Sequence, residues 1–161
     1  MELLKRKHTR LKDYDYSLPG YYYITIHMQG DDILSVIGDG ECPMVTLTPA
    51  GWVVHEQLFA LEQRYSYVKI DKYVIMPTHL HAIIRLVGEC EGTGRSSLTD
   101  IVCAFKSLAT RQCNQIFQSP GKKWFQTSFY ESVLRNEAAY RECWRYIHEN
   151  PHKWALNPED R

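Results

Sequence analysis

Two apolar runs, residues 67–76 and 79–87, are separated only by Pro77-Thr78. A link that short cannot carry the chain across to a parallel neighbour, so the two runs fold back as adjacent strands. Side chains alternate between the faces of a strand, which puts His79 and His81 on one face and Leu80, Ala82, Ile84 and Leu86 on the other. The apolar set demands a core, and the histidines must therefore lie on the side that this core does not claim.

The remaining segments read around this hairpin. Residues 21–28 (YYYITIHM) are aromatic and β-branched and predict a strand. Residues 33–37 and 44–47 flank the turn-rich Gly38-Asp39-Gly40 and predict a hairpin-like excursion. Thr48-Pro49 supplies a capping hydroxyl followed by proline, and opens a helix whose buried face carries Val54, Leu58, Leu61 and Tyr65. A glycine-rich loop, 88–95, leads to a second helix over about 97–117, with Leu98, Ile101, Val102, Phe105, Leu108, Ala109 and Ile116 inward. A short strand, 129–134, follows. Asn136 then caps a last helix with Tyr140, Cys143, Trp144 and Ile147 as its core stripe, which Asn150-Pro151 is expected to end. The element order predicts an α+β fold, a ferredoxin-like antiparallel sheet with helices packed on one face. The expected organisation is a basic N-terminal arm (1–20), one catalytic-size domain (21–154) and a short C-terminal tail (155–161).

Composition narrows the setting. No apolar run approaches the roughly 20 residues of a membrane span, and the first residues lack the apolar stretch of a signal peptide, so a cytoplasmic protein is expected. The 5 cysteines, Cys42, Cys90, Cys103, Cys113 and Cys143, form no CxxC pair, which disfavours a disulfide framework or a cysteine zinc site. With 19 basic and 19 acidic residues, any affinity for nucleic acid must come from local clusters rather than net charge. Such clusters occur at Lys5, Arg6, Lys7, Arg10 and Lys12, at Lys122-Lys123, and at Arg135, Arg141 and Arg145.

Two imidazoles at i and i+2 on an open strand face can share one divalent cation. They are too few for a closed structural site, which leaves positions for water or a phosphate oxygen. The same pattern is also that of two surface histidines. In the last helix Tyr146 and Asn150 lie one turn apart on one flank, the spacing of a phenol nucleophile and an amide oxygen ligand, and equally of a rim tyrosine and a helix stop.

These residues together resemble a known family. The run from Tyr73 to Ile84 (YVIMPTHLHAII) resembles the signature of the single-tyrosine transposases, which carry HUH, U being hydrophobic. Phe105-Lys106-Ser107, Phe129-Tyr130-Glu131, Leu134-Arg135-Asn136-Glu137 and Tyr146-Ile147 with Asn150-Pro151 also resemble that family. The branch associated with repetitive extragenic palindromes is the most similar, over about residues 21–154. Thr78 stands where relatives often have asparagine, and Ser132 where histidine is common.

The resemblance implies a ferredoxin-like fold with the HUH strand central and a C-terminal helix that brings its tyrosine to the metal. By position, His79 and His81 become metal ligands, Asn150 completes the site, and Tyr146 is the nucleophile; Tyr140, on the core stripe, ranks second. The implied cofactor is Mg²⁺ or Mn²⁺, although two imidazoles alone would also suit Zn²⁺ or Ni²⁺. The implied partner is single-stranded or hairpin DNA, with no membrane, bound by a monomer or homodimer. Lys106, Arg111, Lys122, Lys123, Arg135 and the basic arm are candidate phosphate contacts. Tyr21, Tyr22, Tyr130, Trp124 and Phe125 are candidate platforms for unpaired bases. Two rival readings share these residues: a non-catalytic hairpin-binding module, and a metal-dependent hydrolase using His27 or Asp71 as a further ligand.

Overall fold

The structure is a computed structural model that describes residues 11–88 and 95–157. Most of the glycine-rich loop, most of the basic arm and Cys90 lie outside the described residues. The first strand, β1 (Gly20–His27), is followed by a small antiparallel pair, β2 (Ser35–Ile37) and β3 (Val45–Leu47). Next come α1 (Pro49–Arg64), β4 (Val68–Ile75), β5 (His79–Leu86), α2 (Leu98–Ile116), β6 (Tyr130–Leu134) and α3 (Glu137–Leu156). β4, β5, β1 and β6 form one antiparallel sheet in that spatial order, with β5 and β1 central.

The expected tight link is present. Pro77-Thr78 joins β4 to β5, and Met76 N–H donates to His79 O at 2.8 Å. The turn's outward carbonyls are also used: Met28 N–H donates to Thr78 O and Leu34 N–H to Pro77 O, each at 2.9 Å. The turn therefore pins the end of β1 and the start of the β2–β3 excursion to the edge where the histidines begin.

The sheet's two faces are built differently. Tyr22, Ile24 and Ile26 of β1 join Leu80, Ala82, Ile84 and Leu86 of β5 in the main core, closed by Val54, Leu58 and Leu61 of α1 and Ile101, Val102 and Phe105 of α2. The opposite face carries a smaller cluster of Tyr23, Ile83, Leu134 and Ile147, the last from α3. The antiparallel α+β architecture is as expected. Packing on one face describes α1 and α2, whereas α3 crosses the other. The cause lies in β5 itself, where Ile83 follows His79 and His81 on the second face and needs cover.

Two boundaries shift, and one expected core residue is exposed. Pro151 does not end the last helix: α3 continues to Leu156. Proline deprives one upstream carbonyl of its partner, but the extra turn brings Trp154 against His79, with ring centroids 6.3 Å apart. The expected arm, 1–20, is partly core, because Tyr16 is buried with the main cluster and its carbonyl accepts from Leu98 N–H at 3.0 Å. Trp144 of the expected core stripe is exposed, lying under the Lys72 ammonium at 4.0 Å.

The capping prediction holds at α1. Thr48 Oγ1 accepts from Gly51 N–H at 3.1 Å while its own hydroxyl donates to Ile33 O at 2.8 Å. The first turn of α1 thereby sits directly on the backbone before β2, so that a β-carbon at Gly51 would lie 1.9 Å from Leu34 O. Alanine favours a helix over glycine by about 1 kcal/mol, yet here it would collide with backbone that cannot rotate away. Gly51→Ala should destabilise the fold by about 3 kcal/mol or more, read as a drop in the urea midpoint with an unchanged slope.

Candidate active site

β5 presents His79 and His81 on the α3 face, and the register sets what lies beside them. Across the central pair, Thr25 opposes His81 and His27 opposes His79. The two HxH rings meet edge to face, with centroids 4.5 Å apart and planes at 76°. His27 and His79 centroids are 5.2 Å apart.

His81 is almost wholly buried, at 4% exposure. Its Nδ1 lies 2.8 Å from Tyr23 Oη and 2.9 Å from Thr25 Oγ1, and its ring is stacked on Tyr23 at an interplanar angle of 16°. The other nitrogen, Nε2, is buried with no hydrogen-bond partner. A buried unpaired polar atom is costly and calls for an explanation. His79 Nδ1 lies 3.0 Å from Thr78 Oγ1. Burial, reinforced by the neighbouring His27, pushes the His79 pKa down to about 4. Burial, together with His79 and His27, pushes that of His81 to about 3. Both imidazoles are thus neutral at physiological pH, the form that binds cations.

α3 lays its flank across this row. The Tyr146 ring sits 5.3 Å from that of His81 at 75°, and 6.5 Å from that of Tyr23. Tyr146 is 44% exposed, and Lys153 Nζ lies 5.6 Å above its ring. Trp154, two turns on, meets His79. Asn150 occupies the intervening turn and is half-buried, so the helix carries its amide along the same row.

Tyr140 is differently placed. Its hydroxyl donates to the Asp71 carboxylate. That hydrogen bond, with burial second, pushes the Tyr140 pKa up to about 12. Its ring packs on Tyr21 at 5.1 Å. A phenol held this way is committed to fastening α3 to β4.

The histidine pair and Tyr146 therefore come together as expected, and Asn150 lies on the flank between the two aromatic contacts. The residues fit a divalent ion on one observation above others: His81 is neutral, fixed at Nδ1 and bare at Nε2. Among the described residues, no three His, Cys, Asp or Glu side chains are grouped to hold a metal, so any ion here would keep open positions. Asp71, one of the two further ligands considered for a hydrolase, is engaged by Tyr140 instead.

The candidate DNA contacts are scattered. Lys106 donates to Gln126 O and Thr127 O at 2.6 and 2.9 Å, fastening α2 to the loop before β6. Lys122 pairs with Asp32 and lies 4.1 Å over Trp124. Arg111, Lys123 and Arg135 are exposed, but Arg111 is on α2, which covers the other face. Arg135 follows Leu134, which pairs with Tyr21, roughly 20 Å along β1 from the His27 row. Of the aromatic candidates, Tyr22, Trp124 and Phe125 are core. Tyr130 alone is exposed near the site, opposite Thr25 and 5.8 Å from Tyr23. Sequence reasoning missed the roles of Tyr23 and Thr25. Their shared parity with His27 was legible in the strand pattern, but their pairing with His81 needed the register.

No protein-family model matches the chain. It is 30% identical over 169 residues to an uncharacterized protein of Haemophilus influenzae (strain Rd), an alignment covering 92% of this chain and 89% of the relative. Among solved structures, a tyrosine transposase associated with repetitive extragenic palindromes (REP), bound to a REP hairpin, aligns with a TM-score of 0.64 at 19% identity. That match covers 89% of this chain and 73% of the other. A candidate transposase from Deinococcus radiodurans aligns with a TM-score of 0.50 at 15% identity, over 88% of this chain and 96% of that one.

The depressed histidine pKa values carry a stability consequence. In the unfolded chain each imidazole titrates near its ordinary value of about 6.5, whereas in the fold it stays neutral down to about 4 (His79) or about 3 (His81). The unfolded state then binds more protons between these limits, so stability is complete above about pH 6.5 and is lost as pH falls through that window. Between pH 7 and 5 the unfolding free energy should drop by on the order of 2–4 kcal/mol. Replacing both histidines with asparagine should remove most of that slope in urea titrations at the two pH values.

Proposed function

The chain belongs to the family of the Haemophilus influenzae relative and has the tyrosine-transposase fold; from that premise we propose that it is a metal-dependent enzyme that cuts and rejoins single-stranded or hairpin DNA, with Tyr146 as nucleophile. The observation that carries the reading is the juxtaposition of an exposed phenol, Tyr146, with the ring of a buried His81 whose Nε2 has no hydrogen-bond partner.

His79 and His81, completed by the Asn150 amide oxygen, would hold Mg²⁺ or Mn²⁺. Such an ion, when bound, neutralises charge developing on a scissile phosphate and orients it for in-line attack. The chain's own residues do the rest. Tyr146 Oη attacks phosphorus and gives its proton to solvent water, which returns one to the departing 3′ oxygen. The bond from phosphorus to the 3′ oxygen breaks, giving a 5′-phosphotyrosine and a strand ending in a 3′-hydroxyl. Exchange of one phosphodiester for another conserves bond energy, so a 3′-hydroxyl can reverse the step and rejoin strands without an external energy source. Lys153, above the Tyr146 ring and paired with Glu149 at 3.6 Å, would bring positive charge beside the incoming phosphate on exchanging that partner.

The substrate class follows from access. Tyr146 lies on an open face and must meet a backbone that can bend to it, which favours an unpaired strand or the flank of a hairpin. The hairpin-bound structural neighbour supports that class, and the exposed Tyr130 ring offers an unpaired base a stacking surface. With one nucleophile per chain, paired strand exchange takes either two copies or successive cycles.

A labelled hairpin oligonucleotide with an unpaired flank, incubated with Mn²⁺ and then denatured, tests the proposal. Wild type should yield a covalent adduct; Tyr146→Phe should lower its formation at least about 10³-fold, whereas Tyr140→Phe should retain it within a few-fold. His81→Ala should abolish cleavage and leave metal-free hairpin binding nearly unchanged. Binding with no adduct would make this a hairpin-binding module. Cleavage with no adduct would make it a hydrolase.

A further inference from the structure

A buried strand that otherwise reads as core carries hydroxyls at two same-face positions, Tyr23 and Thr25, exposed only 9% and 6%. Both converge on one atom. His81 Nδ1 is 2.8 Å from Tyr23 Oη and 2.9 Å from Thr25 Oγ1, and the Thr25 hydroxyl donates to Tyr23 Oη at 3.2 Å. Three polar atoms thus close a triangle beneath the imidazole.

The possible proton placements can be enumerated. A neutral imidazole carries one N–H. If that proton is on Nε2, a donor is buried without an acceptor. If it is on Nδ1, the N–H donates into the hydroxyl pair, the Thr25 proton goes to Tyr23 as its geometry already indicates, and Nε2 is left as a bare lone pair. Each arrangement leaves one donor without a partner, Nε2–H in the first and the Tyr23 O–H in the second. An ion on His81 selects the second, because it needs the Nε2 lone pair free while Nδ1–H is held from behind. The Tyr23 ring also lies near-parallel to that of His81, with centroids 5.8 Å apart.

We propose that Tyr23 and Thr25 are positioning residues: their hydroxyls fix His81 as the Nδ1–H tautomer and hold its Nε2 lone pair toward the ion. This rests on the function proposed above, since it gives the lone pair its purpose. Hydrogen-bonded partners behind a ligating histidine set both its tautomer and its orientation, and their loss typically weakens metal binding about 10–100-fold. The pair acts through His81 and touches no substrate.

The experiment uses the full chain with Tyr23→Phe, Thr25→Val, the double variant, and Thr25→Ser as the conservative control. Long-range ¹H–¹⁵N NMR of the metal-free protein reads the tautomer directly. Wild type should show the His81 proton on Nδ1, and the double variant should move toward Nε2–H. Calorimetric titration with Mn²⁺ in the absence of DNA should show the dissociation constant rising about 10–100-fold in the double variant. Thr25→Ser should stay within a few-fold of wild type, and saturating Mn²⁺ should restore adduct formation to the double variant. Melting temperatures should stay within a few degrees throughout, which separates positioning from folding. A wild-type proton found on Nε2, or unaltered Mn²⁺ affinity in the double variant, would overturn the inference. A wild type that binds no Mn²⁺ would instead remove the metal reading above, with the tautomer still deciding whether the hydroxyl pair sets the ring.

Discussion

Everything at this site depends on the register of one strand pair. Thr25 opposes His81 across the two central strands, and Tyr23 opposes Ile83. Because the side-chain period of a strand is two, a slip of one residue would turn the whole set over. His79 and His81 would enter the main core, and Leu80, Ala82 and Ile84 would face α3. The slip is forbidden by the apolar side: those three residues are completely buried with Ile24 and Ile26, which are almost equally so, and each leucine or isoleucine among them is worth about 1.5–3 kcal/mol. The hydrophobic core is thus what aims the histidines. The short Pro77-Thr78 turn removes the remaining freedom, because its two carbonyls are tied to Met28 and Leu34.

The division of labour between the faces explains how polar groups can be tolerated so close to a sheet's centre. The main core supplies the stabilisation. The α3 face has a much smaller apolar cluster, and Ile147 is the only residue of α3 that is fully buried. The helix is held instead by contacts at intervals along it: the Tyr140–Asp71 hydrogen bond near its start, Ile147 in the middle, and Trp154 against His79 near its end. A β-bulge between Ile70 and Lys72 contributes here, letting Asp71 reach Tyr140 and Lys72 reach Trp144 from neighbouring positions. Sparse anchoring leaves the flank between the anchors open, and Tyr146 occupies that flank.

Much of this was legible before the fold. The hairpin at 77–78, the parity of the HxH pair, the Thr48 and Asn136 caps, the stripe of α1 and that of α2 as far as Ala109 follow from local rules and are present, whereas Ile116, expected inward, is exposed in the last turn of α2. Errors arose where tertiary packing overrode a local signal. Pro151 is a strong stop by propensity, yet α3 runs on through it to Leu156 and sets Trp154 against His79. Trp144 fell on the helical stripe yet sits under Lys72, because α3 meets the sheet over a narrower contact than its periodicity suggests. Lys106 looked like a free cation and is engaged by two backbone carbonyls. Which lysine has a partner within the fold is a long-range fact, invisible to spacing. Tyr23 and Thr25 belong to the same class: nothing in YYYITIH marks them until β1 is laid against β5.

Charge follows the same logic. A chain with balanced charge cannot rely on its overall field to hold a polyanion, and among the described residues the candidate contacts Arg111 and Arg135 lie away from the histidine row. On the proposed function, a phosphate at this site would be held at short range, by groups such as Lys153 beside the Tyr146 ring and by those that the paired imidazoles gather. Short-range capture makes geometry more important than in a strongly basic nuclease, because a misaligned ligand is not compensated by a broad positive surface. The ring stacking and paired hydroxyls behind His81 meet that demand. They spend buried polar contacts on holding one nitrogen still, on the face where the core needs them least.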